Sequence, residues 1–391
     1  MRQIAILLLS GCVGLLAAAQ GFAATINVPG DQPTIAAGLA AASAGDEVLV
    51  ACGTYYEHNL VLPSGVTLRG DGGDPSCVVI DAEGAGRALL VSGLAQAVAV
   101  EALTVQGGAA ENGAGLFVDD AQCAVTNCRF QDNTATVRGG AIVIGTGDLS
   151  VTDCYFFQNS AGSYDGGAIN VVEGGFSATN CVFEANSADY GGALVLASGT
   201  PTVQDCRFID NVAGYGGAVV TLLATTPTFL GCLFKGNSAQ YGGAGYQMLG
   251  SITTYDHCTF VENAASVQSA GVHSFVTNTI LRNCIIAFST EGAATGCELT
   301  SSITLLCCDL YGNAGGDWTG CIADQLGVNG NISEDPYFCL ADNPDEPYTV
   351  AAFSICSELN NPDCGQIGAF GTGCGVTGVE DTSFSRVKSL Y

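Results

Sequence analysis

The chain has 391 residues, with 37 Asp and Glu against 10 Lys and Arg, a formal charge of −27. So acidic a surface repels nucleic acid and anionic lipid headgroups, and acidic polysaccharides as well unless cations bridge them. Glycine is abundant at 54 residues without a collagen triplet, and charged residues make up only 12%, so most side chains must pack inside something regular.

Residues 1–23 read as an export signal. Arg2 supplies the positive end, Ile4 to Ala19 the apolar stretch, and Gly21-Phe22-Ala23 the small residues for cleavage after Ala23. A lipoprotein reading competes, because Leu9-Ser10-Gly11-Cys12 has the form of a lipid-attachment box. Against it, the apolar run before Cys12 is short and continues beyond it. No apolar run of about 18 residues follows, so no membrane helix is expected. The expected location is secreted or cell-surface, where disulfides are permitted.

The next segment predicts a short helix. Asp31 is a possible cap, Pro33 suits a first turn, and Ile35, Leu39 and Ala42 share one face before Gly45. Such a helix would cover the open end of a β stack. Val48-Leu49-Val50, Val66-Thr67-Leu68, Val78-Val79-Ile80 and Leu103-Thr104-Val105 then read as strands that alternate inward and outward.

From residue 128 one phrase returns: Cys-x-Phe-x-x-Asn, a spacer, then Gly-Gly-Ala. Its cysteines are Cys128, Cys154, Cys181, Cys206, Cys232 and Cys258, continuing as Cys284 and Cys308. The spacings are 26, 27, 25, 26, 26, 26 and 24 residues. A fixed period of this length means one unit stacked many times, about ten coils in all. Within a coil, Cys and Phe lie two apart and point inward together. The polar residue before Cys marks a bend. Asn133, Asn159, Asn186, Asn211, Asn237 and Asn263 can hydrogen-bond along the stack, whose repeat is about 4.8 Å. Gly-Gly permits backbone that a Cβ forbids.

These coils resemble right-handed parallel β-helices of the pectin-lyase-like superfamily. The Phe-x-x-Asn and Gly-Gly-Ala pairing is similar to repeats of the chlamydial polymorphic outer membrane proteins. The opening Val28-Pro29 to Gly53-Thr54-Tyr55 and the ending Asp335-Pro336 to Gly368-Ala369-Phe370 resemble the first and closing coils of bacterial β-helix proteins. The resemblance implies an all-β fold over roughly residues 24–374, with a tail at 375–391. It implies little about function, since the superfamily hosts lyases, hydrolases, esterases, epimerases and binding proteins.

Four constellations bear on chemistry. The ladder cysteines read either as a metal or redox array or as buried thiol fillers. Parallel stacked side chains point the same way, and no close-spaced Cys-x-x-Cys occurs among them, which favours fillers and no metal. Cys339, Cys356, Cys364 and Cys374 lie in irregular sequence and can staple an end cap. Cys339–Cys356 with Cys364–Cys374 is the expected pairing among the three possible. Tyr190, Tyr215 and Tyr241 each precede Gly-Gly and stack into an outward column, where Arg138 and Asp165 stand in earlier coils. Such a column reads either as a ligand strip for sugar rings or as cover for the Gly-Gly backbone.

Carboxylate pairs such as Asp71 with Asp74, Asp119 with Asp120, and Asp205 with Asp210 lack the companions that a polygalacturonase requires. A pectate lyase would need Ca²⁺-holding carboxylates and a basic residue, and the coils offer only Arg129, Arg138, Arg207, Lys235 and Arg282. Gln204-Asp205 alone does not make a pectin methylesterase, and His58, His257 and His273 are isolated. The sequence therefore reads as a monomeric, non-catalytic protein without cofactor that binds a polysaccharide or another surface. The rival is a Ca²⁺-dependent polysaccharide lyase, which a loop over one face with a basic residue facing acids would favour.

Overall fold

The computed structural model describes residues 23–375 apart from 163–164, 341–342 and 344–345. The export-signal reading with Cys12 and nearly all of the tail therefore lie outside the described residues. A full coil visits four sheets in turn, and its strands pair in parallel with their equivalents one coil away. We number them in chain order. Sheet 1 has twelve strands, sheet 2 eleven, sheet 3 seven and sheet 4 ten. The twelve strands of sheet 1 make the stack longer than the expected ten coils. The extra coils lie before Cys128 and carry no ladder cysteine, so the phrase does not mark them.

Three corners of the coil require left-handed backbone. The residue before each ladder Cys takes it, as in Asn127, Asp153, Asn180, Asp205, His257 and Asn283 (φ 48–55°). The residue before each ladder Asn takes it too, as in Asp132, Gln158, Ala185, Asp210 and Glu262. The first Gly of Gly-Gly is the third such corner; at Gly191 an added Cβ would sit 2.2 Å from the Leu194 carbonyl oxygen.

Inside, Phe130, Phe156, Phe183, Phe208, Phe234 and Phe260 stack face to face at 4.6–5.4 Å. Between sheets 2 and 3 the asparagines form a continuous ladder. The amide Nδ2 of Asn159 donates to Asn186 Oδ1 at 3.0 Å and to the Phe130 carbonyl at 2.8 Å, and the next coils repeat this. All six asparagines are buried with their polar atoms paired, which is what makes their burial tolerable. The ladder cysteines are buried free thiols, each donating to backbone carbonyls such as Thr152 O for Cys154. Burial pushes Cys154, Cys232 and Cys284 well above the usual thiol range, while hydrogen bonds from the neighbouring thiols Cys154 and Cys206 lower Cys181.

The helix Ile35–Ala41 closes the front of the stack, with Ile35 and Leu39 buried in the core. Its cap is Thr34, whose hydroxyl accepts from the Ala37 amide, rather than Asp31. The Asp31 carboxylate is taken by the Asn27 amide and side chain instead. At the far end Ile322 is buried and Trp318 half-buried against the core, and Cys297–Cys321 ties this cap to sheet 4.

The last segment is not an end cap. Residues 335–374 fold back as a strap over the outer face of sheet 2. Ile367 and Val350 cover Ile285 and Ala287, while Tyr348 packs on Leu233 and Val261. This corrects the disulfide pairing. Cys339 bonds Cys374 and Cys364 bonds Cys307. Cys356 is a buried free thiol, 3.1 Å from the Asp309 carboxylate. The physical reason is Cys307, which occupies the left-handed corner before ladder Cys308 (φ 54°) and so takes the strap's Cys364. A fourth bond, Cys52–Cys77, ties the loop that carries Asp74 to the second coil.

Candidate functional site

Two outer faces carry the residues singled out by the sequence. On sheet 3, Tyr190, Tyr215 and Tyr241 end their strands and align in register. Their rings stack on one another at 4.8 and 5.2 Å, within 9° of parallel. The facing ring surfaces of the three residues thus lie against one another. Inward, the column covers Val195, Val220 and Tyr246, residues that point out of the solenoid yet are buried. The tyrosines thus shield a small second core. In earlier coils the same column carries Arg138 paired with Asp165 at 3.3 Å, and burial pushes the Asp165 carboxyl up to about 6.

The column's other end holds an arrangement that sequence reading missed. Ser269 Oγ lies 3.0 Å from His273 Nδ1, and His273 Nε2 lies 3.7 Å from Glu298 Oε1. The imidazole stacks on Tyr246 at 5.3 Å, and burial lowers its proton affinity, keeping it neutral near pH 7. The residues are four and then 25 positions apart, so only the coil period brings Glu298 to His273; the period was the available signal. Ser269 is fully buried, and the neighbouring Ala270 and Gly271 amides already bond the next coil. With Ser269 buried and the Ala270 and Gly271 amides already paired, the trio ties a corner of the coil.

The second face is the uncovered part of sheet 2, between the 71–77 loop and the strap. The position after the ladder Cys places Arg129, Tyr155, Val182 and Arg207 in one outward column. Beside it run Gln131, Phe157, Glu184 and Ile209. Tyr155 and Phe157 stand side by side with ring centroids 5.7 Å apart. The Arg129 guanidinium lies 5.7 Å from the Tyr155 ring. The Tyr155 hydroxyl donates to Glu184 at 2.8 Å, and burial with that carboxylate pushes its proton affinity up to about 12. At the strap, Arg207 pairs with Glu346 and lies 5.7 Å from the Phe370 ring. At the loop, Asp74 is held low chiefly by the Ser76 amide and hydroxyl, with Arg129 adding to it.

Of the other bases, Arg138 and Arg207 are ion-paired, and Lys235 lies on sheet 2 in the same column as Ile209. Of the carboxylate pairs, the Asp74 carboxylate accepts from the Ser76 amide and hydroxyl, and Asp205 accepts from its neighbour Gln204. Among the described residues no three carboxylates, imidazoles or thiols converge as a metal cage would require.

Comparison with known proteins agrees with the architecture. Residues 112–286 match the family model described as a right handed beta helix region. Among solved structures, that of the pectate lyase Pel9A superposes with a TM-score of 0.50 at 11% identity, covering 90% of this chain and 97% of that one. No curated protein matches the sequence. The chain is a right-handed parallel β-helix with the pectin-lyase-like fold.

Proposed function

We propose that this is a secreted or cell-surface, non-catalytic protein that holds an extended glycan along the uncovered strip of sheet 2. The observation that carries the reading is the strip itself. Its floor offers two adjacent aromatic rings, hydrogen-bonding Gln131 and Glu184, and Arg129, and the loop and the strap bound it at either end. Aromatic rings with polar neighbours suit the mixed apolar and hydroxylated surface of a sugar chain.

One observation favours the lyase reading. Arg129 lies near a carboxylate at a loop on the sheet face, on a fold shared with a pectate lyase. Against it, the Arg129 guanidinium leans over the Tyr155 ring. Incubation with pectate, alginate and neutral glycans, with and without Ca²⁺, separates the two. Retention without new ultraviolet absorbance is expected; absorbance from unsaturated ends would overturn the non-catalytic reading.

A further inference from the structure

The turn from sheet 4 to sheet 1 changes character along the stack. In the earlier coils its tip carries Asp120, Thr146, Glu173 and Ser198. In the later coils the same tip carries Leu223, Leu249, Val276 and Leu299, aligned by the strand register. All four have left-handed backbone, with φ between 53 and 59°. All four are exposed, at 58, 47, 37 and 75%.

Each fact alone is unremarked at one residue; together in four successive coils they are doubly unfavourable. Left-handed backbone favours Gly, Asn or Asp, and a β-branched residue such as Val276 is a true outlier there. Water at the tip favours the same polar residues. The chain uses Asp120 (φ 49°) at this tip in an earlier coil, so the alternative is within its own repertoire. Strain and exposure accepted together point to a surface kept apolar for contact.

We propose that this ridge is where a second copy of the chain docks. The argument is electrostatic. Two molecules of charge −27 repel over most of their surfaces. The ridge and its flanking Ser251, Ile252, Thr277, Asn278, Thr300 and Ser301 carry no charge, and Glu298 is the nearest acid in these turns. A two-fold axis sets the ridges antiparallel, Leu223 against Leu299 and Leu249 against Val276 of the other copy. With Ile252 beside it and Leu222, Met248 and Phe275 behind it, the ridge is a patch on the order of 500 Å², short of the roughly 800 Å² per partner of a stable interface. The pairing is therefore weak and concentration-dependent.

Sedimentation equilibrium over a concentration series, at low and high salt, tests this. The apparent mass should rise from one chain of 39.5 kDa toward two, and more so in high salt, which screens the repulsion. The triple variant Leu223→Asn, Leu249→Asn, Leu299→Asn should remain monomeric while its unfolding midpoint stays equal or rises, since Asn suits the left-handed backbone. A wild type that is monomeric at every concentration and salt, or a triple variant that associates like the wild type, overturns the proposal. Ridge-dependent binding to phosphatidylcholine vesicles by a chain that does not self-associate would also overturn it, in favour of a lipid partner.

Discussion

Arg207 and Glu346 are 139 residues apart in sequence, and their side chains meet at 2.5 Å where the strap stops and the open strip of sheet 2 begins. Both are more than a third exposed, so the pair adds little stability, within about 1 kcal/mol. Its importance is positional: it fixes the boundary of the strip. Glu346→Gln should leave the thermal midpoint within a degree or two of wild type, on the order of the surface-pair effect. A large drop would mean that this pair, rather than the apolar contacts of Tyr348 and Ile367, holds the strap.

The strap should come loose when its covalent tie is cut. Cys364→Ser removes the bond to Cys307, which closes a 57-residue separation and is worth about 3–4 kcal/mol on loop-entropy grounds. Limited proteolysis should then cut within 335–374 while the coils resist. Equal resistance of both would show that packing alone secures the strap.

The asparagine ladder predicts a steep cost. Asn186→Ala strands the buried Asn159 amide and side chain and the Phe156 carbonyl, all of which Asn186 now satisfies. A loss of about 3 kcal/mol or more is expected. By contrast, Ala185→Asn, one residue earlier at φ 54°, should stabilise by roughly 0.5–1 kcal/mol, because Asn tolerates that backbone better than Ala. Denaturant midpoints moving in opposite directions at neighbouring residues would verify both.

Much of this architecture is written in the repeat. Cys, Phe, Asn and Gly-Gly each announce a core or corner position because the same demand recurs in every coil. The corner before Asn is harder to see, since Ala185 fills it without any turn-forming character. The strap was illegible for another reason. Its partners, Arg207, Leu233 and Ile285, are ordinary outward residues, and nothing periodic ties them to Glu346, Tyr348 or Ile367. Cys307 beside Cys308 did carry a hint, because only one of two adjacent cysteines can face the core. Of the candidate site, Arg129 and Arg207 are legible as the residues that follow ladder cysteines, and the register places Tyr155 and Val182 between them as a floor.

The strap also predicts a pH dependence. Asp309 is buried against Cys356 and the Glu334 amide, with the Glu334 and Asp317 carboxylates nearby, and burial pushes its carboxyl up to about 7. The folded form binds its proton more tightly than the unfolded chain does. Stability from this group is therefore fullest below about pH 4 and is lost as pH rises through about 7. Unfolding midpoints at pH 5 and 8 should differ less in Asp309→Asn than in wild type. An equal difference would place the dependence elsewhere.

The tyrosine column and the sheet 2 strip should separate by function. Tyr215→Ala uncovers Val195 and Val220, so a stability loss of about 2 kcal/mol is expected, with glycan retention unchanged. Loss of retention without loss of stability would make the column the binding site.

The most direct measurement is affinity electrophoresis of wild type and the Arg129→Ala, Tyr155→Ala double variant through gels containing pectate, alginate or neutral glycans. The account predicts that at least one glycan retards the wild type without yielding unsaturated product. The double variant should bind that glycan at least about tenfold more weakly, with its unfolding midpoint preserved. Equal retardation of both proteins, or release of unsaturated product, would contradict it.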